Sequence, residues 1–247
     1  MIPAGWSVVT LEAVGSTNDE AMARAEAGAP EGAVVRALRQ EAGRGRRGRG
    51  WDSPPGNVYS STILRPKVPP AEAAQLSFVA ALAVADMAAS LLGTDRRVAI
   101  KWPNDVLVDD AKISGILLES AVGEGGLVGH VVIGVGINVA SAPPGTRYGA
   151  THLAALGSTA STDTVFAAYI GALARRYGEW RTSGFAETRV EWLRRAAWLD
   201  RDIEVSLGET SLRGRFVDLD ERGALLLQTA DGGVRRVTAG DVFPPRA

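Results

Sequence analysis

Residues 43–51 are rich in groups that could bind an anion. They place four arginines and four glycines directly before a tryptophan, in the order Gly-Arg-Gly-Arg-Arg-Gly-Arg-Gly-Trp. Glycine lets a backbone approach a ligand closely and adopt positive φ, and the arginine fork pairs with carboxylate and phosphate oxygens. The pattern predicts a mobile loop that closes over an anion. Because short RG-rich segments also contact nucleic acids, the loop alone leaves that interpretation open.

A second cluster is Lys-Trp-Pro-Asn-Asp at residues 101–105. Pro103 fixes the local backbone, Asn104 can pair with a purine edge, and Asp105 could hold Mg²⁺ or take a proton from an amine. The alternative is an ordinary Asn-Asp turn. Considered without the other clusters, the five residues do not decide between the two interpretations.

Two glycine-containing stretches follow. Lys112 stands at the start of a predicted strand close to Gly115, where its charge could act on a transferring phosphoryl or acyl oxygen, although this stretch alone favours a solvated lysine. Gly134 and Gly136 interrupt the next apolar strand before Asn138. Glycine weakens a strand unless a ligand or another backbone approaches it, so this stretch predicts a pocket wall. The third glycine and following helix of a dinucleotide fingerprint are missing.

Composition excludes several classes of protein. The 247 residues carry a net charge of −1, which argues against nonspecific coating of nucleic acid. The absence of cysteine excludes disulfides and thiol nucleophiles and is compatible with a cytoplasmic location. Two histidines are too few for a multi-histidine metal site, whereas Mg²⁺ held by carboxylates and phosphates remains possible. The apolar stretch 76–92 contains Asp86 and predicts a buried helix, not a membrane span.

Hydrophobic periodicity predicts an α+β protein in two domains. A helix should begin at Ser16 or Thr17, and a long helix should cover 72–92. Strands are expected at 33–38, 58–64, 112–119 and 129–139, and a further helix is expected at 187–198. From about Leu199, short strands separated by glycines predict a small β-barrel. The predicted division is therefore a main α+β domain at 1–198 and a small β-barrel domain at 199–247.

Taken together and in this order, Ser16-Thr17-Asn18, Gln40 with residues 43–51, and the stretches 101–105, 112–119 and 134–138 resemble the biotin–protein ligases over nearly the whole chain. The resemblance implies a mixed β-sheet with packed helices, followed by an SH3-like barrel. It implies synthesis of biotinyl-5′-AMP from biotin and ATP with Mg²⁺, and then transfer of biotin to a lysine of a carboxylase's biotin carboxyl carrier domain.

The resemblance also implies roles for individual residues. Catalytic roles fall to Arg46, Lys112 and Asp105. Biotin binding is expected from Ser16, Thr17, Asn18, Gln40, Gly43, Arg44, Gly45, Arg46, Lys112, Gly115, Leu117 and Gly134. Nucleotide binding is expected from Arg46, Arg49, Trp51, Lys101, Asn104, Lys112 and Asn138. Some family members carry an N-terminal winged helix. Because this sequence reaches the first motif at Ser16, we expect no operator DNA binding, and a homodimer is possible.

Three rival interpretations remain. A lipoate–protein ligase shares the fold and the two-step logic, but the full arginine/glycine run ending in Trp51 is not expected of it. A nucleic-acid-binding protein would use the same loop and would show salt-sensitive affinity. A non-catalytic carboxylase partner would not turn over ATP.

Overall fold

A computed structural model describes residues 2–144 and 149–244. The first part of the chain folds into a seven-stranded sheet with helices on both faces. Its strands are β1 (Ser7–Val14), β2 (Ala33–Gln40), β3 (Val58–Leu64), β4 (Val98–Lys101), β5 (Asp105–Val108), β6 (Ala111–Val122) and β7 (Val128–Ile137). The helices are α1 (Thr17–Glu26), α2 (Pro70–Ala73), α3 (Leu76–Leu92), α4 (Thr162–Ser183) and α5 (Phe185–Arg194).

The sheet is mixed, in the order β1-β2-β3-β7-β6-β5-β4. Strands β1 and β2 pair in parallel, joined by the α1 crossover, and the other neighbours pair antiparallel. Alternate residues of a strand face opposite sides. Val132 and Ile63 pack under α1 in a small apolar cluster, whereas Val131 and Leu64 belong to the main core, which includes α3 and α4. The predicted mixed sheet with packed helices is confirmed.

Helix α3 is the central element of the main core. The stretch Pro70–Leu92 is long and apolar enough to cross a membrane, with a mean hydropathy of 1.7, yet 67% of its most apolar window is buried inside the protein. The helix predicted over 72–92 is present, and within it the α-helical hydrogen bonding is interrupted at Ala74 and Gln75, which keep helical φ and ψ, so that α2 ends at Ala73 and α3 begins at Leu76. Between them, Gln75 accepts a hydrogen bond from the indole of Trp180 on α4.

The chain after α5 supports the edge of the main sheet. A helix was predicted over 187–198, but α5 ends at Arg194. The backbone carbonyl of Arg195 and the amide of Ala197 instead hydrogen-bond to Ile100 on β4. This short parallel contact covers the open edge of β4, which would otherwise present unpaired backbone groups.

The C-terminal part forms a second sheet. It consists of β8 (Asp202–Ser206), β9 (Ser211–Leu219), β10 (Leu225–Gln228), β11 (Val234–Val237) and β12 (Asp241–Phe243), paired antiparallel in the order β11-β10-β9-β8-β12. Short strands forming a small SH3-like β-barrel were predicted here, and the antiparallel arrangement is consistent with an SH3-like unit. Within the residues described, β11 and β12 remain the two ends of the sheet, so hydrogen bonds do not close it into a barrel.

Candidate active site

A cavity of about 610 Å³ lies on the face of the main sheet that carries α1. Its floor is formed by β6 and β7, and its rim includes six residues of the arginine/glycine segment, namely Arg44, Gly45, Arg46, Arg49, Gly50 and Trp51. Asp241 and Phe243 of β12 reach it from the second sheet. The cavity is therefore built jointly by both parts of the chain, and its size suits a ligand of several hundred daltons.

A pair of glycines gives the cavity floor its shape. Gly115 on β6 lies opposite Gly136 on β7, and the indole of Trp51 packs on both. A Cβ on Gly136 would lie 2.5 Å from Trp51 Nε1, and a Cβ on Gly115 would lie 2.8 Å from Trp51 Cζ3. Since real Cβ atoms do not approach other atoms so closely, the two glycines are what allow the indole to lie flat on the strands.

One end of the cavity is lined by hydrogen-bonding side chains. Both the backbone N–H and the hydroxyl of Thr17 donate to Gln40 Oε1, at 2.8 and 3.0 Å. The Gln40 amide nitrogen donates to Ser53 Oγ at 2.9 Å. Ser16 occupies the N-cap position of α1, but its side chain makes no capping hydrogen bond. Helix α1 thus begins at the cavity. The backbone N–H of Thr17 in its first turn donates to Gln40 on the neighbouring strand β2 and not to a capping side chain.

Asn18 lies behind this end of the cavity. Its Oδ1 accepts from Ser61 Oγ at 2.6 Å, and its Nδ2 donates to Glu119 Oε2 at 2.7 Å. A Cβ on Gly134 would lie 2.8 Å from Asn18 Cγ and closer still to Oδ1. The glycine therefore makes room for the amide. Asn18 ties α1 to β3 and β6, and its side chain is committed to protein partners.

A carboxylate between two lysines forms the centre of the site. Asp105 Oδ2 lies 3.0 Å from Lys101 Nζ, and Asp105 Oδ1 lies 2.6 Å from Lys112 Nζ. Burial lowers the pKa of Lys101, and the charge of Asp105 opposes that shift only in part. Lys112 lies at the cavity wall, with its Nζ 5.1 Å from the centroid of the Trp51 ring. The arrangement presents one ammonium to the cavity and keeps the other behind it.

The first arginine of the loop, Arg44, is bound to the wall of the cavity. Its guanidinium donates to both carboxylate oxygens of Glu119, at 3.1 and 2.9 Å, and also to Asp19. Although partial burial works against the charged form, these carboxylates raise the pKa of Arg44. Arg44 therefore fixes the start of the loop to β6 and α1.

The three following arginines converge on Asp241. Its carboxylate lies 3.9 Å from Arg46, 3.6 Å from Arg47 and 3.1 Å from Arg49. Arg46 Nη1 also donates to Asn104 Oδ1 at 3.0 Å. Burial lowers the pKa of Arg46, and Asp241 opposes this shift. Three cations around one carboxylate leave a local excess of positive charge at the cavity mouth.

Most of the residues predicted from the sequence lie around the cavity. Those that line it are Ser16, Thr17, Gln40, Arg44, Gly45, Arg46, Arg49, Trp51, Asn104, Asp105, Lys112, Gly115, Leu117, Gly134 and Asn138. Three others do not line it. Asn18 and Lys101 are buried behind the wall, and Gly43 packs closely against Gln40 and Ser53. Asn138 also donates to the backbone carbonyl of Thr151 at 3.1 Å.

Four residues with clear positions in this site received no role from the sequence. Glu119 is the last residue of the stretch 112–119, in which only earlier residues were given a role. Ser61 lies in a run of polar residues in β3 that is fully buried, and polar residues inside a predicted strand are a signal that the sequence does contain. Asp241 and Phe243 come from β12, and no local pattern links that strand to a loop almost two hundred residues earlier. Their contribution becomes visible only in the folded chain.

The fold and the cavity define the class of protein. The chain is similar to the biotin protein ligase from Aquifex aeolicus solved with biotin and ATP, with a TM-score of 0.82, 27% identity and coverage of 98% of this chain and 99% of that one. It is also similar to the Leishmania major biotin protein ligase solved with biotinyl-5-AMP, with a TM-score of 0.63, 25% identity and coverage of 94% and 99%. The architecture is the biotin protein ligase fold.

Sequence comparison identifies the family. Residues 12–138 match the biotin/lipoate A/B protein ligase family, and residues 199–243 match the biotin protein ligase C-terminal domain. The biotin–[acetyl-CoA-carboxylase] ligase of Paracoccus denitrificans is 41% identical over 234 residues, which cover 92% of this chain and 96% of that protein. The chain belongs to the biotin/lipoate A/B protein ligase family.

Proposed function

We propose that the chain is an ATP-dependent biotin–protein ligase. It forms biotinyl-5′-AMP with release of pyrophosphate and then transfers biotin to one lysine of the biotin carboxyl carrier domain of a carboxylase. The observation that carries this proposal is a single cavity with Arg46 and Lys112 between a hydrogen-bonding end at Thr17 and Gln40 and an aromatic end at Trp51. The biotin and nucleotide complexes of the similar structures support it.

Biotin occupies the end of the cavity at Gly134 and Leu117. Ser16, Thr17 and Gln40 supply the donors and acceptors that a ureido ring needs, and Gly115 borders the biotin site with its backbone, beside the Trp51 indole that packs on it. Because Arg44 already forks onto Glu119, we assign the biotin carboxylate to Arg46 and Lys112. Arg44 then holds Gly45 and the loop in position.

The nucleotide occupies the other end. Asn138 lies four positions beyond Gly134, just after the end of β7, which corresponds to about 13 Å of extended chain and leaves room for a ribose and a base beyond the biotin. Trp51 covers the adenine, Asn104 and Asn138 border it, and Arg49 reaches the phosphates. Lys101 lies behind the cavity wall and does not touch the nucleotide; it holds Asp105 in place through their 3.0 Å ion pair.

The first chemical step brings together two anions, a carboxylate and a triphosphate. A carboxylate oxygen of biotin attacks the α-phosphorus, and pyrophosphate leaves. Arg46 and Lys112 offset the repulsion between the reactants and the charge that develops at phosphorus. Mg²⁺ supplies further positive charge on the phosphates. The described residues hold no cluster of three carboxylate or histidine ligands, so we assign Mg²⁺ to the ATP phosphates.

The second step joins biotin to the acceptor. The amine of the acceptor lysine attacks the acyl carbon, and AMP leaves. The mixed anhydride hydrolyses readily, so water must be excluded from the cavity until the acceptor lysine arrives. The arginine/glycine loop provides this cover by lying over the cavity mouth. Asp105 positions Lys112 at the reacting oxygen through the 2.6 Å ion pair.

Several finer points belong to the same proposal. Residues 1–198 form the catalytic domain, and residues 199–247 form a domain that closes the nucleotide end through β12. The protein acts in the cytoplasm and can pair with a second copy. The lipoate–protein ligase alternative keeps the same fold. The nucleic-acid alternative is disfavoured, because three loop arginines face a carboxylate of the same chain.

The test is transfer to a carrier domain followed by intact mass spectrometry. Purified protein, biotin, ATP and Mg²⁺ should add one biotin to an apo carrier domain, and replacement of the acceptor lysine by arginine should abolish the addition. Addition of lipoate in place of biotin would support the alternative ligase. No addition of either group would contradict the proposed function.

A further inference from the structure

Lysine is rare in this chain. Only three of the 27 basic residues are lysines, namely Lys67, Lys101 and Lys112, and the others are arginines. An acyl adenylate reacts with neutral amines but not with guanidinium groups, which remain protonated in proteins. On the proposed function, each lysine side chain is therefore a position at which the protein could modify itself.

We infer that the three lysines meet the acyl adenylate in three different physical situations, which leave Lys67 as the one lysine that released intermediate acylates. Lys101 is inaccessible, Lys112 is held as an ion-paired ammonium, and Lys67 is accessible but remote from the cavity. This inference rests on the proposed function for the identity of the acyl donor. The relative reactivities of the three amines follow from the structure alone.

Lys101 is protected by burial. Its side chain is 2% exposed, and it lies behind the cavity wall with its Nζ 5.7 Å from the centroid of the Phe243 ring. Burial lowers its pKa, so its ammonium is easier to deprotonate than that of an exposed lysine. An acyl donor the size of an adenylate nevertheless cannot reach it without opening the contact between β4 and β12.

Lys112 is protected by charge. It lies at the cavity wall and its side chain is 20% exposed, so a ligand in the cavity can touch it. Asp105 Oδ1 at 2.6 Å and the face of Trp51 at 5.1 Å hold the Lys112 amine on two sides. The nitrogen must leave this ion pair before it can attack an acyl carbon. The same ion pair that positions Lys112 for the first step thus keeps it from attacking the product.

Lys67 is exposed, and among the residues that the structure describes it has no ion-pair partner. It lies in the exposed segment that follows β3. Ser61 pairs with Gly134 at the cavity, and Leu64 pairs with Val131. Leu64 is therefore about 10 Å further along the strand, and Lys67 lies beyond it, near β7's start, where Val128 donates to the carbonyl of Val68. Only intermediate that has left the cavity can reach it.

The modification itself is a simple acyl transfer. The neutral Nζ of Lys67 attacks the acyl carbon of biotinyl-AMP, and an amide N–C bond forms. The C–O bond of the mixed anhydride breaks, AMP leaves with the electron pair, and the extra proton on nitrogen passes to water. No other co-reactant is needed.

Amine reactivity can be measured without the enzymatic reaction. We would treat the ligand-free protein with a limiting amount of the N-hydroxysuccinimide ester of acetate and quantify acetylation of each lysine by peptide mass spectrometry. Lys67 should react at least tenfold faster than Lys112, and Lys101 should react only after unfolding. Equal rates at Lys67 and Lys112 would overturn the inference. Because no ATP or biotin is present, this result stands whether or not the proposed function is correct.

Substitutions then test the cause. With preformed biotinyl-AMP, wild-type protein should carry biotin at Lys67, and Lys67→Arg should remove lysine labelling. Asp105→Asn should raise labelling of Lys112 about tenfold or more, whereas Asp52→Asn, another acid at the cavity wall, should not. Labelling of Lys112 that is insensitive to Asp105→Asn would refute the protective ion pair. If that variant does not fold, the wild-type comparison of Lys67 with Lys112 still decides the inference.

Discussion

Replacing Gly136 with alanine should impair ATP use by displacing Trp51. The new Cβ would lie 2.5 Å from Trp51 Nε1 and 2.7 Å from Cζ2. Trp51 Cε2 would lie nearer still, and ordinary contact begins near 3.4 Å, so the indole must retreat by about 1 Å. The strand beneath it is paired on both sides and cannot yield as easily as the ring. The indole therefore moves into the space assigned to the adenine.

A misplacement of about 1 Å at a reacting site can cost on the order of 100-fold in rate. We expect Gly136→Ala to raise the KM for ATP by about 10- to 100-fold and to change the KM for biotin much less. Both constants would be measured by ATP–pyrophosphate exchange. The matched control is Gly129→Ala on the same strand, where a new Cβ would meet its nearest neighbour at an ordinary 3.5 Å. That variant should behave as wild type.

A double-mutant cycle tests whether Trp51 transmits the effect. Trp51→Ala removes the ring that the new methyl group would strike, so adding Gly136→Ala to it should change the KM for ATP little further. An unchanged KM for ATP in Gly136→Ala would refute the reasoning. So would a full additional loss when Gly136→Ala is combined with Trp51→Ala.

Three other predictions concern charges. Lys112→Ala should lower pyrophosphate exchange at least 100-fold while biotin binding, followed by calorimetry, stays measurable; near-normal exchange would contradict its assigned role. Asp241→Asn should accelerate proteolysis of residues 43–50 in the absence of ligand, because three arginine contacts weaken, and biotinyl-AMP should restore protection; equal cleavage of variant and wild type would contradict this. Burial alone would raise the pKa of Asp86, but hydrogen bonds and charges from Arg176 and Arg195 lower it to about 2 from 3.8. The folded pKa lies below the unfolded one, so the stabilisation is present above about pH 4 and is lost as the pH falls towards 2. Asp86→Asn should therefore lower the free energy of unfolding by about 2 kcal/mol at pH 7 and by much less near pH 2 in denaturant titrations; a loss independent of pH would argue against the linkage.

Much of the architecture could be predicted from the sequence because the information is local. Strand periodicity located β3, β6 and β7, and the change to short strands after Leu199 indicated the second sheet. The helix break at Ala74–Gln75 could not be read from a continuous run of good helix formers. At this interruption Gln75 accepts a hydrogen bond from Trp180, which joins residues more than a hundred positions apart.

The site was predictable to the extent that its residues lie in recognisable stretches. Arg46, Asp105 and Lys112 meet at one cavity as the order of those stretches suggested. The direction in which a side chain points could not be predicted, because it depends on partners that are distant in the sequence. Asn18 turns away from the cavity towards Ser61 and Glu119, and Asp241 reaches the loop arginines from the last strand. No spacing rule specifies either contact.

The most direct test of the central claim is ATP–pyrophosphate exchange by the purified protein with Mg²⁺, measured with biotin and with lipoate in parallel. We predict exchange that requires biotin and is not supported by lipoate. Such a result would establish adenylation of biotin in the cavity between Thr17 and Asn138. Exchange with lipoate in place of biotin would contradict the assigned substrate, and exchange with neither would contradict the proposed chemistry altogether.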